Sequence, residues 1–170
     1  MKGIATLMAS ARTGEKAQDE WCTPRWLFDR CVKEFGGFDL DAAASDENYF
    51  CARWYTEQDN AIACPWYGNV WCNPPHSMLR EFADKAIEQL STGNCQSATF
   101  LIPARTDTRA FQAMAKHASD IVFLAGRVKF EPGTQSAPFP SAIVHLVREK
   151  MHLTRVVFQD WRPVRAGVKK

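Results

Sequence analysis

The stretch Val70-Trp-Cys-Asn-Pro-Pro-His-Ser77 ends an apolar strand pattern in two consecutive prolines. Proline lacks an N–H group and holds its own φ at about −65°. It also drives the residue before it into an extended conformation. The corner is therefore stiff, and its carbonyl groups stay outside the usual strand ladder. Rigid acceptors at the end of a buried strand indicate a site that holds a hydrogen-bond donor.

Helix and strand patterns alternate on both sides of this corner. The predicted helices are 23–37, 79–90 and 106–118. The first has Thr23 as its N-cap and Pro24 at its first helical position, and the third is capped by Thr106 or Asp107. The predicted strands are 38–40, 52–56, 68–73, 97–103, 121–126, 127–131, 141–148 and 154–159.

This alternation predicts an α/β domain with a mainly parallel sheet and helices on both faces. The last strands, 141–148 and 154–159, are expected to add antiparallel pairs at the edge of the sheet. In such sheets ligands bind outside the carboxyl ends of the strands. The polar residues at three of these predicted ends are Asp39, Asp41, Glu57, Asp59 and Asn73.

The composition is that of a globular domain without a membrane segment. The 170 residues are 46% hydrophobic and 24% charged, which suits one domain with its own core. No apolar run approaches the roughly 18 residues that span a bilayer, and the N-terminus lacks the long apolar region of a signal peptide. We therefore expect a cytoplasmic protein with an N-terminal arm (1–18), one domain (19–160) and a basic C-terminal tail (161–170).

The six cysteines show no C-x-x-C pair and no histidine at zinc-finger spacing. In a chain of this length the pattern favours buried thiols over disulfides. It also argues against a structural zinc site, so no metal is expected. The six tryptophans indicate either core packing or a stacking wall for a flat ligand.

Six segments in the region from Asp19 to Val147 resemble the S-adenosylmethionine-dependent DNA amino-methyltransferases, and more narrowly the small phage-type DNA N6-adenine methyltransferases. The segments are DEWCTPRWLFD, FDLDAAAS, NVWCNPPHS, LIPARTDTRAF, FLAGRVKF and APFPSAIV. The resemblance implies a Rossmann-like class I methyltransferase fold, S-adenosylmethionine as cofactor and DNA as partner. It also implies a place in the host cytoplasm for a phage-encoded chain.

The resemblance assigns catalysis to the proline corner. An exocyclic amino group on a base is a poor nucleophile, because its lone pair is delocalised into the ring. The side-chain oxygen of Asn73 and the carbonyl of Pro74 would accept its two N–H bonds, and Pro75 would keep that carbonyl rigid. His76 stands where the family usually has Tyr or Phe, which stacks on the flipped base. Imidazole can stack too, but it offers less area and protonates near pH 6.5.

The resemblance also assigns a cofactor site. Asp41 would meet the ammonium group of the cofactor, and the helix that Thr23 and Pro24 open would receive its carboxylate. Glu57 and Asp59 would bind the ribose hydroxyls and the adenine amino group, and spacing alone does not separate these two roles. The remaining predicted cofactor residues are Trp21, Asp39, Ala43 and Ser45, the last two from an Ala-Ala-Ala-Ser turn where glycines are usual.

Basic residues on loops near the strand ends are expected to contact DNA phosphates. They are Arg105, Arg109, Arg127 and Lys129. The loop 132–141 carries an aromatic residue between prolines and is expected to lie over the extruded base.

Three other functions fit parts of the same pattern. The corner suits any conjugated NH₂ group, so cytosine N4 and the side-chain amide of a protein glutamine are alternative acceptors. The basic loops argue against the glutamine enzyme, which needs no DNA-binding rim. His76 and the missing glycines also fit a catalytically weak DNA-binding homologue.

Overall fold

The computed structural model describes residues 22–130, 136–149 and 152–163, which build a seven-stranded sheet with helices against both faces. The strands are β1 (Leu40–Asp41), β2 (Arg53–Trp54), β3 (Gly68–Cys72), β4 (Cys95–Pro103), β5 (Ala118–Leu124), β6 (Ser141–Val147) and β7 (Arg155–Gln159). The helices are α1 (Arg25–Phe35), α2 (Leu79–Ser91) and α3 (Arg109–His117), and a 3₁₀ turn, His76–Met78, precedes α2. The strand order is β2-β1-β3-β4-β6-β5-β7.

The α/β fold class is confirmed, but the antiparallel strand lies inside the sheet and not at its edge. Strand β6 runs antiparallel to both of its neighbours, β4 and β5. The edge strand β7 pairs parallel with β5. All residues of β6 from Ser141 to Leu146 are buried, as an inner strand covered on both faces requires. Strand β7 is half exposed, which suits an edge.

Two core layers lie on opposite faces of the sheet. Side chains alternate between the faces along each strand, so Phe100 and Ile102 of β4 pack in the layer that contains α2 and α3. Leu101 packs in the other layer, with α1 and with Trp71 of β3. Of the tryptophans, Trp66 and Trp71 are fully buried, so core packing accounts for these two.

Helix α2 begins at Leu79 as predicted, whereas the starts of α1 and α3 differ from the predicted ones by two or three residues. Pro24 takes the N-cap position of α1 in an extended conformation, so Thr23 lies before the cap. The carbonyl of Pro24 accepts the N–H of Leu27 at 2.9 Å. Helix α3 is capped by Thr108, whose hydroxyl accepts the N–H of Phe111, and not by Thr106 or Asp107.

Strand positions near the sheet ends also differ. The first strand is Leu40–Asp41 and not 38–40, because its ladder with β3 begins at Leu40. The predicted strand 127–131 is not one, since its described residues form only a bridge between Lys129 and Ser136.

Of the two predicted domain boundaries, only the one between residues 160 and 161 lies within the described residues. Trp161, which the sequence assigns to the C-terminal tail, is buried against α1. The arm 1–18 and the residues 164–170 lie outside the described residues. All six cysteines are thiols, four of them buried. Among the described residues, no helix is long and apolar enough to cross a bilayer, and the cytoplasmic location stays a prediction.

His145 of β6 is a buried titratable group in the layer under α1. Its Nδ1 lies 2.8 Å from the hydroxyl of Thr99, and its ring stacks on Phe35 with 4.5 Å between the centroids. Burial lowers the pKa of His145 from 6.5 to about 4, against an opposing effect of the Asp120 carboxylate. The folded protein therefore holds this imidazole neutral in mildly acidic solution.

We expect His145→Gln to reduce the acid sensitivity of the fold. Below pH 6.5 the unfolded chain binds a proton that the folded chain refuses, so this group lowers the stability of the parent as pH falls from 6.5 to about 4. At about 1.4 kcal/mol per pKa unit the loss approaches about 3 kcal/mol, and glutamine lacks it. Urea unfolding at pH 7, 5.5 and 4.5 measures the difference. Parallel profiles for parent and variant would contradict the prediction.

Candidate functional site

A cavity of about 570 Å³ lies at the carboxyl ends of β1, β2 and β3. Its volume falls in the range of about 300–1,000 Å³ that small-molecule sites occupy. The predicted site residues in its wall are Thr23, Asp41, Ala43, Ser45, Glu57, Asn73 and Pro75. Residues from both the predicted cofactor set and the proline corner thus line a single cavity.

Asp41 ends β1 and is only 3% exposed. Its two carboxylate oxygens accept backbone N–H groups from Ala43 at 3.3 Å and Phe50 at 3.2 Å. Burial raises the pKa of Asp41 from 3.8 to about 7, and these two hydrogen bonds oppose the rise. A cationic or hydroxyl group that enters the cavity would meet a carboxylate with little access to water.

The turn after Asp41 is anchored on both sides by continuing the sheet ladder. The N–H of Ala42 donates to the carbonyl of Trp71 at 2.9 Å, and that of Ala44 to the carbonyl of Tyr55 at 3.0 Å. Asn60 is the one non-glycine residue of the described chain with a positive φ, so this turn has no left-handed position that needs glycine. The small side chains of the Ala-Ala-Ala-Ser turn are enough to leave the cavity open here.

The structure separates the two acidic residues that follow β2. Glu57 lies in the wall of the cavity. The Asp59 carboxylate instead closes its own turn, accepting the backbone N–H and the hydroxyl of Thr56 at 2.8 Å each. These hydrogen bonds lower the pKa of Asp59. Of the pair, only Glu57 is brought to the cavity.

Asp39 lies before β1, away from the cavity wall. Its carboxylate accepts the N–H of Asn69 at 2.8 Å, at the beginning of β3 and not at its carboxyl end. Gly68 has a φ of +64°, and a Cβ there would lie 2.3 Å from an Asp39 oxygen. The Asp39 contact is thus part of the strand pairing. Pro24 is likewise absent from the cavity wall, and Trp21 lies outside the described residues.

The proline corner follows β3 directly and turns the chain into α2. Asn73 is half-buried in the cavity wall, and Pro74 behind it is buried. The carbonyl of Pro75 accepts the N–H of Met78 at 3.0 Å, which closes the 3₁₀ turn. The ring of His76 lies outside the wall and contacts Phe139, with 4.9 Å between centroids and 75° between planes.

The four predicted DNA-binding cations are exposed. Arg105 follows β4 and Arg127 follows β5, and these two strands run in the same direction because each is antiparallel to β6. Both arginines therefore lie at the carboxyl ends of the strands, on the side of the sheet where the cavity lies. Arg109 begins α3, and Lys129 lies two residues beyond Arg127. None of the four forms an ion pair with another described residue.

Several wall residues were not predicted from the sequence. They include Cys22, Asn48, Phe50, Tyr55, Thr56, Asn60, Ile62 and Met78. Tyr55 and Thr56 directly follow the short strand β2, so the strand-end rule that selected Glu57 reaches them as well. Phe50 comes from a loop, and no periodic pattern in the sequence marks it.

The family model for DNA N-6-adenine-methyltransferase (Dam) matches residues 10–157. The chain belongs to this family. The match covers the whole sheet except the end of β7. It includes the corner, the Asp41 turn and the basic loops, so the cavity is built from the part of the chain that the Dam family shares.

Two phage proteins illustrate the relationship. The DNA N-6-adenine-methyltransferase of Escherichia phage T1 is 36% identical over 114 residues, which cover 66% of this chain and 47% of that protein. The DNA N-6-adenine-methyltransferase of Haemophilus phage HP1 is 29% identical over 127 residues, 73% of each chain. The aligned part of this Dam-family chain thus spans about half the length of the T1 relative.

We expect Asp41→Asn to change how the stability of the fold depends on pH. Between pH 4 and pH 7 the folded parent binds the Asp41 proton more tightly than the unfolded chain does, so its stability falls as pH rises through this window. At about 1.4 kcal/mol per pKa unit the fall is about 4 kcal/mol. The asparagine variant lacks it. Urea unfolding from pH 4.5 to 7.5 tests this, and equal slopes for the two proteins would refute it.

Proposed function

We propose that this chain transfers a methyl group from S-adenosylmethionine to the N6 amino group of adenine in DNA. The observation that carries the proposal is that Asn73 and Asp41 line the same cavity. The side-chain oxygen of Asn73 suits the amino group that receives the methyl group, and the carboxylate of Asp41 suits the cationic molecule that donates it. Membership of the Dam family and the activity for which its two phage relatives are named support the same reaction.

The residues present fit S-adenosylmethionine. The cavity has room for a ligand of this size. Asp41 offers a buried carboxylate for an ammonium group, Glu57 offers acceptors for ribose hydroxyls, and Thr23 lies at the start of α1, where backbone N–H groups attract a carboxylate. When bound, the cofactor supplies an electrophilic methyl group on a sulfonium sulfur.

The proline corner activates the acceptor. Asn73 Oδ1 and the Pro74 carbonyl accept the two N–H bonds of the adenine amino group, which draws its nitrogen lone pair out of the ring. Pro74 and Pro75 hold these acceptors rigid, so little reorganisation is needed in the transition state. With the cofactor bound, the methyl group would pass from the sulfonium sulfur to the amino nitrogen, the S–CH₃ bonding pair would stay on sulfur, and one amino proton would be lost to water.

Exposed cations at the same edge support DNA as the substrate. Arg105, Arg127 and Lys129 are exposed and bind phosphates without reading sequence. The amino nitrogen is inaccessible inside a duplex, so the base leaves the stack to reach Asn73. His76 at the corner stacks on the extruded ring, as an aromatic residue does in the family.

We expect Asn73→Ala to lower the rate of methylation about 100- to 1000-fold, because one transition-state acceptor is lost. Affinity for S-adenosylmethionine should stay close to that of the parent. The assay is transfer of a tritiated methyl group to DNA, followed by separation of the labelled nucleosides. If the label is found in N4-methylcytosine, the substrate base is cytosine and not adenine.

The matched control is Asn69→Ala. Asn69 lies at the beginning of the same strand, where its side-chain oxygen accepts the hydroxyl of Ser97 at 2.9 Å. This change removes the same amide outside the cavity and should leave the rate within about 2-fold. If Asn73→Ala methylates DNA at the rate of the control, the corner does not activate the amine.

We expect Asp41→Asn to weaken S-adenosylmethionine binding about 10-fold or more, as the loss of a charge-assisted hydrogen bond worth about 1.5–3 kcal/mol implies. The carboxylate is the binding form, so the affinity of the parent should also fall as pH drops below about 7. Calorimetric titration between pH 6 and 8 measures both effects. Asp39→Asn changes the same side chain outside the cavity and is the control. Equal losses in the two variants would remove Asp41 from the cofactor site.

A further inference from the structure

Phe139 lies between the proline corner and the loop after β4. It is 7% exposed. On one side its ring meets His76 at 4.9 Å between centroids, with the planes 75° apart. The guanidinium carbon of Arg105 lies 6.0 Å from the centroid of the same ring. One buried ring thus touches the residue proposed to contact the base and a residue proposed to contact phosphate.

The position of Phe139 is set by the centre of the sheet. Directly after it, Pro140 accepts the N–H of Ala104 at 2.8 Å, and Ser141 pairs with Pro103 in the ladder of β4 and β6. Before it, the N–H of Ala137 donates to the carbonyl of Val128 at 2.8 Å. The backbone that carries Phe139 is therefore held on both sides by hydrogen bonds.

His76 needs such a support more than a larger ring would. It is half-buried at the start of a short 3₁₀ turn, and an imidazole fills less space than a phenol. A tilted contact between aromatic rings has a preferred geometry, because the edge of one ring is attracted to the face of the other. Phe139 can therefore select one orientation of the imidazole about its side-chain torsions.

We propose that Phe139 is a positioning residue that holds the His76 ring in the orientation in which it stacks on the target base. This inference rests on the proposed function. Because Arg105 lies against the same ring, the phosphate contact and the base contact share one fixed reference point. The base is then presented at a set distance from the DNA backbone that Arg105 binds.

The test is a double-mutant cycle with Phe139→Leu and His76→Ala. Each single variant should lower the single-turnover rate of DNA methylation about 10-fold at saturating DNA and cofactor, since small losses of orientation are costly. In the His76→Ala background, Phe139→Leu should lower the rate by less than about 2-fold. Effects that multiply, or a His76→Ala variant as fast as the parent, would overturn the inference.

The matched control is Phe35→Leu. Phe35 also packs on a histidine ring, that of His145, but at the end of α1 far from the Thr23 end that borders the cavity. Phe35→Leu should leave the methylation rate within about 2-fold of the parent rate and should leave the proton NMR signal of the His76 imidazole unchanged. Phe139→Met is the second variant if Phe139→Leu does not fold.

Proton NMR of the imidazole of His76, without DNA or cofactor, is independent of the proposed reaction. The signal is assigned by its absence from His76→Ala, and Phe139→Leu should move it because the ring current of Phe139 is lost. An unmoved signal would overturn the inference even in an active enzyme. If the parent forms no N6-methyladenine, the proposed function fails, while the NMR shift still decides whether Phe139 contacts His76 in solution.

Discussion

The parallel pairing of β1 with β3 is the contact on which the site depends. Asp41 pairs in register with Trp71, and the ladder extends one residue further through the N–H of Ala42 and the carbonyl of Trp71. Because both strands run in the same direction, the Asp41 turn and the Asn73 corner leave the sheet side by side. A slip of one residue would turn Asp41 to the other face and separate the two halves of the cavity.

Two buried titratable groups show how the fold accommodates charge. Burial raises the pKa of Asp41 and lowers that of His145, so each group favours its neutral form inside the protein. As pH falls from about 6.5 to about 4, the Asp41 group raises the stability of the fold and the His145 group lowers it. The Asp41→Asn variant therefore shows the pH dependence due to His145, and the His145→Gln variant shows that due to Asp41. His145 has its hydrogen-bond partner within the core, whereas Asp41 faces a cavity. Because of that difference we propose Asp41, and not His145, as a binding group.

The corner combines local rigidity with long-range support. Pro74 and Pro75 stiffen the backbone whatever surrounds them. The ring of His76 depends instead on Phe139, which arrives from the end of the loop before β6. The insertion of β6 between β4 and β5 brings that loop to the corner. The same insertion makes β4 and β5 parallel, so that Arg105 and Arg127 lie at one edge.

The sequence by itself determined the α/β class, the proline corner, and Asn73 and the acidic residues after two strands as candidate site residues, because periodicity and strand-end chemistry are local properties. Thr23 came from the resemblance to the family. Only the tertiary structure separated Asp41 from Asp39 and Glu57 from Asp59. The Asp39 carboxylate accepts a hydrogen bond at the beginning of β3, away from the cavity, and the Asp59 carboxylate closes its own turn on Thr56. The position of β6 inside the sheet could not be predicted from the sequence either. Apolar runs show that a strand is buried, but the order of strands is decided by packing between segments far apart in the chain.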